Sequence, residues 1–131
     1  MGLVFSRADL HNAIEPGGVS DWVNDDQPYE IRTSSRPLVS VPYSVELNDI
    51  PMMVIQHHTS SEWLQRCKDQ FDRLYAEGAR NPRVMAIAVH PYNSGVPHRI
   101  KYFEAVYDYM RRKKGVWLAT APNTDRNPRC D

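Results

Sequence analysis

The strongest constraint on the fold is an unbroken apolar run, Val84-Met85-Ala86-Ile87-Ala88-Val89, closed by Pro82 on one side and His90-Pro91 on the other. An alternating pattern would mark a strand with one wet face. A continuous run this short predicts a strand covered on both faces, as at the centre of a parallel sheet. Helical patterns flank it. Thr59 and Glu62 have the spacing of a capping box, in which hydroxyl and carboxylate each satisfy an orphan amide. Trp63, Leu64, Cys67, Phe71, Leu74 and Tyr75 then recur at helical spacing and predict one buried stripe over Ser60–Glu77, with Gly78 as the C′ residue. After the apolar run comes a loop, His90 to Val96, and a second helix opening at Pro97. Its buried face is Ile100, Phe103, Val106, Tyr107 and Met110; it stops at Gly115, and Val116–Ala119 forms a last short strand.

The remaining segments are weaker. Ala8–Ile14 predicts a short helix ended by Pro16-Gly17-Gly18, and Val19–Val23 a short strand. A polar loop, Asn24–Pro28, leads into residues 29–36, read as irregular or briefly extended. Leu38–Val45 predicts a strand that opens out at Pro42, since proline cannot donate to a ladder. Glu46–His58 has no clear period and is expected to cross the mouth of the fold. From Ala121 on there is no core-forming pattern, which predicts a disordered tail. Strand alternating with helix predicts an α/β fold with parallel strands: a partial (β/α) barrel of about half the usual circuit, whose terminal strands each lack a neighbour.

Composition excludes several classes. Hydrophobic residues make up 41% and charged residues 24%, as in ordinary globular chains. Lys plus Arg is 16 and Asp plus Glu is 16, so there is no basic surplus to neutralise nucleic acid or an anionic membrane. The run Arg111 to Lys114 fits a helix C-terminus, where cations oppose the macrodipole. Cys67 and Cys130 make neither a disulfide framework nor a CxxC metal site, and Cys67 falls on the apolar stripe as a buried thiol. No run approaches the roughly 18 apolar residues of a membrane span, and Met1–Arg7 lacks a signal-peptide pattern. The expected compartment is the cytoplasm.

Working residues in α/β folds gather where strands end in loops. Asp21, Asp25 and Asp26 follow the first strand; Glu46, Asn48 and Asp49 follow the second; His90, Tyr92, Asn93 and Ser94 follow the apolar run; Thr120 ends the last strand. His90 is the sharpest candidate, because an imidazole at the end of a buried strand can act as a general acid when a carboxylate holds it. Asp21 is the expected carboxylate. His57-His58 points its side chains apart and His98 opens a helix, so neither suggests a metal. No HExxH, CxxC pair, phosphate-binding glycine loop or GxSxG elbow is present.

Five ordered segments, VSDWVNDDQPY, PLVSVPYSVELNDIPM, QFDRLYAEG, VMAIAVHPYNSGVPHRI and KGVWLAT, resemble the C-terminal half of NodB-homology polysaccharide deacetylases, including the branch with the cofactor-free allantoinases. The resemblance spans residues 19–120, leaving 1–18 as a non-family segment and 121–131 as the tail. It implies a distorted (β/α) barrel that hydrolyses non-peptide C–N bonds of a glycan or an allantoin-like small molecule. In such deacetylases an early aspartate and an HxxxH pair hold a divalent metal, zinc, while a second aspartate acts as base; the allantoinase branch uses no cofactor. Position by position, the resemblance makes His90 the late-strand proton donor and Asp21 its support. Glu46, Asn48, Asp25 and Tyr92 are expected to line the substrate pocket. The early aspartate pair and HxxxH are absent, so no metal ligand and no cofactor is assigned within this chain.

Two functions compete: a hydrolase complete only in a longer chain, and a non-catalytic remnant or interaction module that pairs with a partner supplying strands. Neither involves nucleic acid or membrane, and homo-oligomerisation is left open. Amide hydrolysis needs water activated on one side and a proton delivered on the other, and this sequence offers a candidate for the second task alone. The purified chain is therefore expected to show no turnover of N-acetylated chitooligosaccharide or allantoin. Robust turnover lost in His90→Ala would refute this.

Overall fold

Helix α1, Ser60–Glu77, organises the chain, and its start is set by local chemistry. The Thr59 hydroxyl accepts from the Glu62 amide at 3.2 Å, and the Glu62 carboxylate accepts from the Thr59 amide at 2.6 Å and from its hydroxyl at 2.7 Å. Two of the amides that every helix start leaves orphaned are thus satisfied reciprocally. Trp63, Cys67 and Phe71, four residues apart, form the buried stripe. Trp63 is wholly buried, and its indole N–H donates to the Leu47 carbonyl at 3.3 Å. Burial pushes the Cys67 thiol up to about 12, which leaves it an inert apolar filler. Gly78 does not end the helix in a left-handed turn: its φ is −59°, and its amide simply bonds Leu74.

The computed structural model describes residues 2–6, 27–32, 34, 38–41 and 44–120. In chain order these form β1 (Gly2–Ser6), β2 (Tyr29–Ile31), β3 (Leu38–Ser40), a 3-10 turn (Val45–Leu47) and a π-helix (Ile50–Ile55). Helix α1, β4 (Arg83–Ile87), α2 (Pro91–Ser94), α3 (Ile100–Arg111) and β5 (Val116–Thr120) follow. The core joins Leu47, Met52, Met53, Trp63, Phe71, Met85, Ile87, Val106 and Met110. Helices α1 and α3 pack together, α1 against β4 and α3 against β5, and Phe71 meets Tyr109 edge to face at 5.9 Å. The basic run does close a helix: Arg111 is in the last turn of α3, and the Lys113 ammonium sits over the rings of Tyr75 and Tyr109.

The mixed helix and strand composition agrees with the expected α/β class, but the strand directions differ. β1 pairs antiparallel with both β4 and β5, giving the order β4-β1-β5, with Phe5 opposite Val84 on one side and Trp117 on the other. β4 and β5 therefore run parallel to each other, with α3 between them in sequence, yet they are not adjacent. β4, expected at the centre of a parallel sheet, is an edge strand, and the centre is taken by β1. β1 was not anticipated, because five residues of mixed character carry little periodic signal. The expected strand Leu38–Val45 is also shorter. It ends at Ser40, pairs antiparallel with β2, and gives way to the 3-10 turn. Likewise α3 opens at Ile100, after a turn containing Pro97 and His98, not at Pro97 itself. The expected helix Ala8–Ile14, strand Val19–Val23 and tail 121–131 lie outside the described residues.

The outer edge of β4 is met by side chain and loop. The Val84 amide donates to Gln27 Oε1 at 2.9 Å, and Gln27 Nε2 donates to the Val84 carbonyl at 3.4 Å, so a primary amide stands in for a neighbouring peptide. Beyond the strand, the Asp49 amide donates to the Ala88 carbonyl at 3.1 Å. This bond brings the segment after β3 against the end of β4.

The capping box makes a prediction. Thr59→Ala should cost about 1 kcal/mol in urea unfolding. Hydrogen bonds from the Thr59 amide, then its hydroxyl, hold the Glu62 carboxyl below its ordinary 4.5. A folded-state value below the unfolded one stabilises at higher pH, and the benefit is lost as pH falls through the folded value. The difference between wild type and Thr59→Ala should therefore shrink on acidification from pH 7 toward pH 3; a difference that grows would contradict it.

Candidate active site

β4 delivers His90 to its position. The strand ends at Ile87, Ala88 is buried, and His90 is still extended (φ −113°, ψ 125°) as the N-cap of α2. Pro91 follows as the first helical residue, where its fixed φ and missing N–H suit a helix start. Helix α2 is one turn long. Gly95 closes it because a Cβ there would lie 2.5 Å from the Pro91 carbonyl oxygen, so no larger residue fits that turn. The turn folds Ser94 back toward the strand end.

The imidazole is held by Asp49, which precedes the π-helix and is wholly buried. Asp49 Oδ1 lies 2.7 Å from His90 Nδ1. Asp49 Oδ2 accepts from the His90 amide at 2.9 Å and from the Ser94 hydroxyl at 2.6 Å. A buried carboxylate must have such donors, since uncompensated burial of its charge costs several kcal/mol. An ionised carboxylate only accepts, so the contact puts a proton on Nδ1 and leaves Nε2 as the nitrogen that meets whatever lies outside. The His90 side chain is 35% exposed, so this second nitrogen is within reach of solvent.

Other side chains of the loop surround the pair. Tyr92 is 72% exposed, with its ring 5.5 Å from that of His90 and tilted by 52°. Asn93 is buried, and Arg99 donates a guanidinium N–H to its Oδ1. The sequence motif running from His90 to Arg99 thus folds into one hydrogen-bonded unit.

Of the residues singled out from the sequence, His90 and Tyr92 come together. Glu46 is exposed on the 3-10 turn. Asn48 is half-buried, with Oδ1 accepting from the Ile50 amide at 3.1 Å, so it shapes the entry to the π-helix beside Asp49. Asp21 and Asp25 lie outside the described residues. The carboxylate found on His90 is Asp49, which belonged to the group of polar residues after the second strand but was not singled out from it. The available signal was an acidic residue directly ahead of Ile50-Pro51-Met52-Met53, a position that anchors an apolar helix start. His57 has a left-handed φ of 58° where the chain leaves the π-helix, and His58 Nδ1 is 3.7 Å from Glu62 Oε1. Among the described residues no three His, Cys, Asp or Glu side chains are placed to hold a metal ion. Both oxygens of Asp49 already serve internal donors. With both oxygens so engaged, the Asp49–His90 pair does not fit a catalytic metal. Among the described residues no helix is long and apolar enough to cross a membrane.

A carboxylate-held imidazole beyond the C-terminal end of β4, an edge strand of the sheet, is an arrangement that can carry acid–base chemistry. No family model matches the chain. It is 34% identical over 112 residues to a Schizosaccharomyces pombe protein named "Putative polysaccharide deacetylase", covering 77% of this chain and 35% of that one. Its fold superposes on a probable polysaccharide deacetylase from Pseudomonas aeruginosa PAO1 with a TM-score of 0.72 and 31% identity, over 83% of this chain and 37% of that one. The PuuE allantoinase gives the same TM-score and coverages at 26% identity. The resemblance to the NodB-type polysaccharide deacetylases and allantoinases therefore holds in sequence and in fold. The chain spans a little over a third of the length of these relatives.

Asp49→Ala should lower stability by at least about 2 kcal/mol, because three buried or half-buried donors lose their acceptor together. It should also free the His90 tautomer. In 15N NMR above the imidazole titration, wild type should show Nδ1 protonated and the variant a mixture. An unchanged tautomer in the variant would mean that Asp49 does not fix it.

Proposed function

We propose that this chain contributes the proton-donor half of a hydrolase acting on non-peptide C–N bonds, in a (β/α) barrel completed by a longer polypeptide. The observation that carries the reading is the Asp49–His90 contact at the end of β4, with Nε2 turned outward. In hydrolysis of an amide, water adds to the carbonyl carbon, the C–N bond breaks, and the departing nitrogen must gain a proton. Protonated His90 gives that proton from Nε2. Asp49 keeps Nδ1–H in place throughout and faces the positive ring with its own negative charge. Water activation is assigned elsewhere, because the early aspartate pair and HxxxH of the resemblance have no counterpart in this sequence. The substrate is an N-acetylated glycan or a cyclic amide of the allantoin type, with Tyr92 presenting an aromatic face beside the imidazole. Asp21 remains a candidate second support for His90, and Asp25, Glu46 and Asn48 candidate pocket residues.

A second reading rests on a different observation. In a (β/α) barrel, strands joined by one helix lie side by side, whereas here β1 fills the slot between β4 and β5. A chain that supplies its own strand to this slot can exist as a non-catalytic interaction module.

The readings separate when residues 19–120 replace the matched segment of the Pseudomonas aeruginosa protein. If the hydrolase reading is right, the chimera hydrolyses N-acetylated chitooligosaccharide or allantoin, and His90→Ala lowers kcat by about 10²- to 10⁴-fold. A soluble chimera whose turnover ignores His90→Ala would rule the assignment out.

A further inference from the structure

Two buried side-chain atoms have no hydrogen-bond partner among the described residues: Ser40 Oγ at the end of β3, and Asn93 Nδ2 in the loop that carries His90. The second stands out for its position. Asn93 is 3% exposed and three residues beyond the imidazole. Its backbone amide bonds the His90 carbonyl at 2.9 Å, so the two residues are tied into one turn. The orientation of its side-chain amide is not arbitrary. A guanidinium can only donate, so the Arg99 contact fixes the atom it meets as Oδ1 and the other as the NH₂ group. Both hydrogens of that buried group are left without an acceptor among the described residues.

Such a donor is a standing cost to the fold, and buried donors are almost always paired. An apolar residue of similar shape would avoid the cost. Arg99 adds to the case, since it holds the amide in the one orientation that keeps the NH₂ group free. The neighbouring Tyr92 is 72% exposed, whereas Asn93 and Ser94 are buried, so α2 marks the boundary between solvent and interior beside His90. Of its two buried side chains, Ser94 is spent on Asp49. Asn93 gives its Oδ1 to Arg99, but its Nδ2 is spent on nothing among the described residues.

We propose that Asn93 is a substrate-binding residue, its Nδ2–H donating to the carbonyl oxygen of an amide or ureide group held against His90. Arg99 is then a positioning residue that aims the donor. The inference rests on the hydrolase reading above and deepens it: the substrate presents an acceptor oxygen within reach of the proton donor, as an N-acetyl group and a cyclic ureide both do. Asn93 selects such groups because an analogue without the oxygen leaves the donor unpaired.

The test uses the full chain, with N,N′-diacetylchitobiose and allantoin as probes in separate titrations followed by 15N NMR. In wild type one probe should shift both the His90 imidazole and the Asn93 side-chain amide signals. Asn93→Leu removes the unpaired donor. It should bind that probe about tenfold or more weakly. Asn93→Asp, which keeps an acceptor for Arg99, should weaken binding to the same extent. Unchanged affinity in both variants, with the probe still shifting His90, overturns the assignment of Asn93 and leaves the hydrolase reading standing. If neither probe shifts His90 or Asn93 in wild type, the assignment of Asn93 fails, and the hydrolase reading is decided by the chimera.

Discussion

The Asp49 carboxylate is the point on which the rest of the site depends. It is wholly buried, and it is compensated by three donors, two of them from His90 itself. A buried charge of this kind tolerates no loose geometry. If any donor leaves, the desolvation cost returns in full while the remaining bonds cannot make it up. The backbone and ring of His90 are therefore fixed by one group, and the fold cannot relax the imidazole without exposing or neutralising the carboxylate. That rigidity is what a proton donor needs, because transfer falls off steeply when the reacting atoms are misplaced.

The requirement reaches back into the fold. Asp49 can stand beside β4 only because its own amide bonds the Ala88 carbonyl, which continues the hydrogen-bonding edge of the strand past its last paired residue. The π-helix that follows sends Met52 and Met53 into the core, and Leu47 accepts from the Trp63 indole. Packing against α1 thus anchors the segment on both sides of Asp49. The core of the protein and the geometry of the site are the same set of contacts seen from two ends, so substitutions in this segment will be felt in both.

How much of this was legible in the sequence follows from the range of each interaction. The Thr59–Glu62 capping box and the stripe through Trp63, Cys67 and Phe71 are local, and α1 was readable to its first and last residue. β4 was readable because burial on two faces leaves an unbroken apolar run. His90 was readable as the polar residue that ends it. The partner of His90 was not, because Asp49 is 41 residues away and several carboxylates were equally placed by spacing alone. Family resemblance favoured Asp21, which lies outside the described residues, so the two carboxylates are not alternatives that one observation decides between. β1 was missed for the opposite reason: its role comes entirely from non-local pairing, and a short strand inserted between two others has no signature of its own.

The insertion of β1 also bears on which strand edges need cover. An antiparallel strand between β4 and β5 pairs one edge of each and leaves β4 at the border of the sheet, where unpaired amides and carbonyls need other partners. The outer edge of β4 is then met at Val84 by the side chain of Gln27 and at Ala88 by Asp49. Asp49 therefore has two tasks that its position makes inseparable. Its amide continues the protected edge of a strand, and its carboxylate aims the residue that ends the strand. Stability alone would select an amide at that point, and a proton donor alone would select a carboxylate within reach of the ring; one residue in one conformation supplies both.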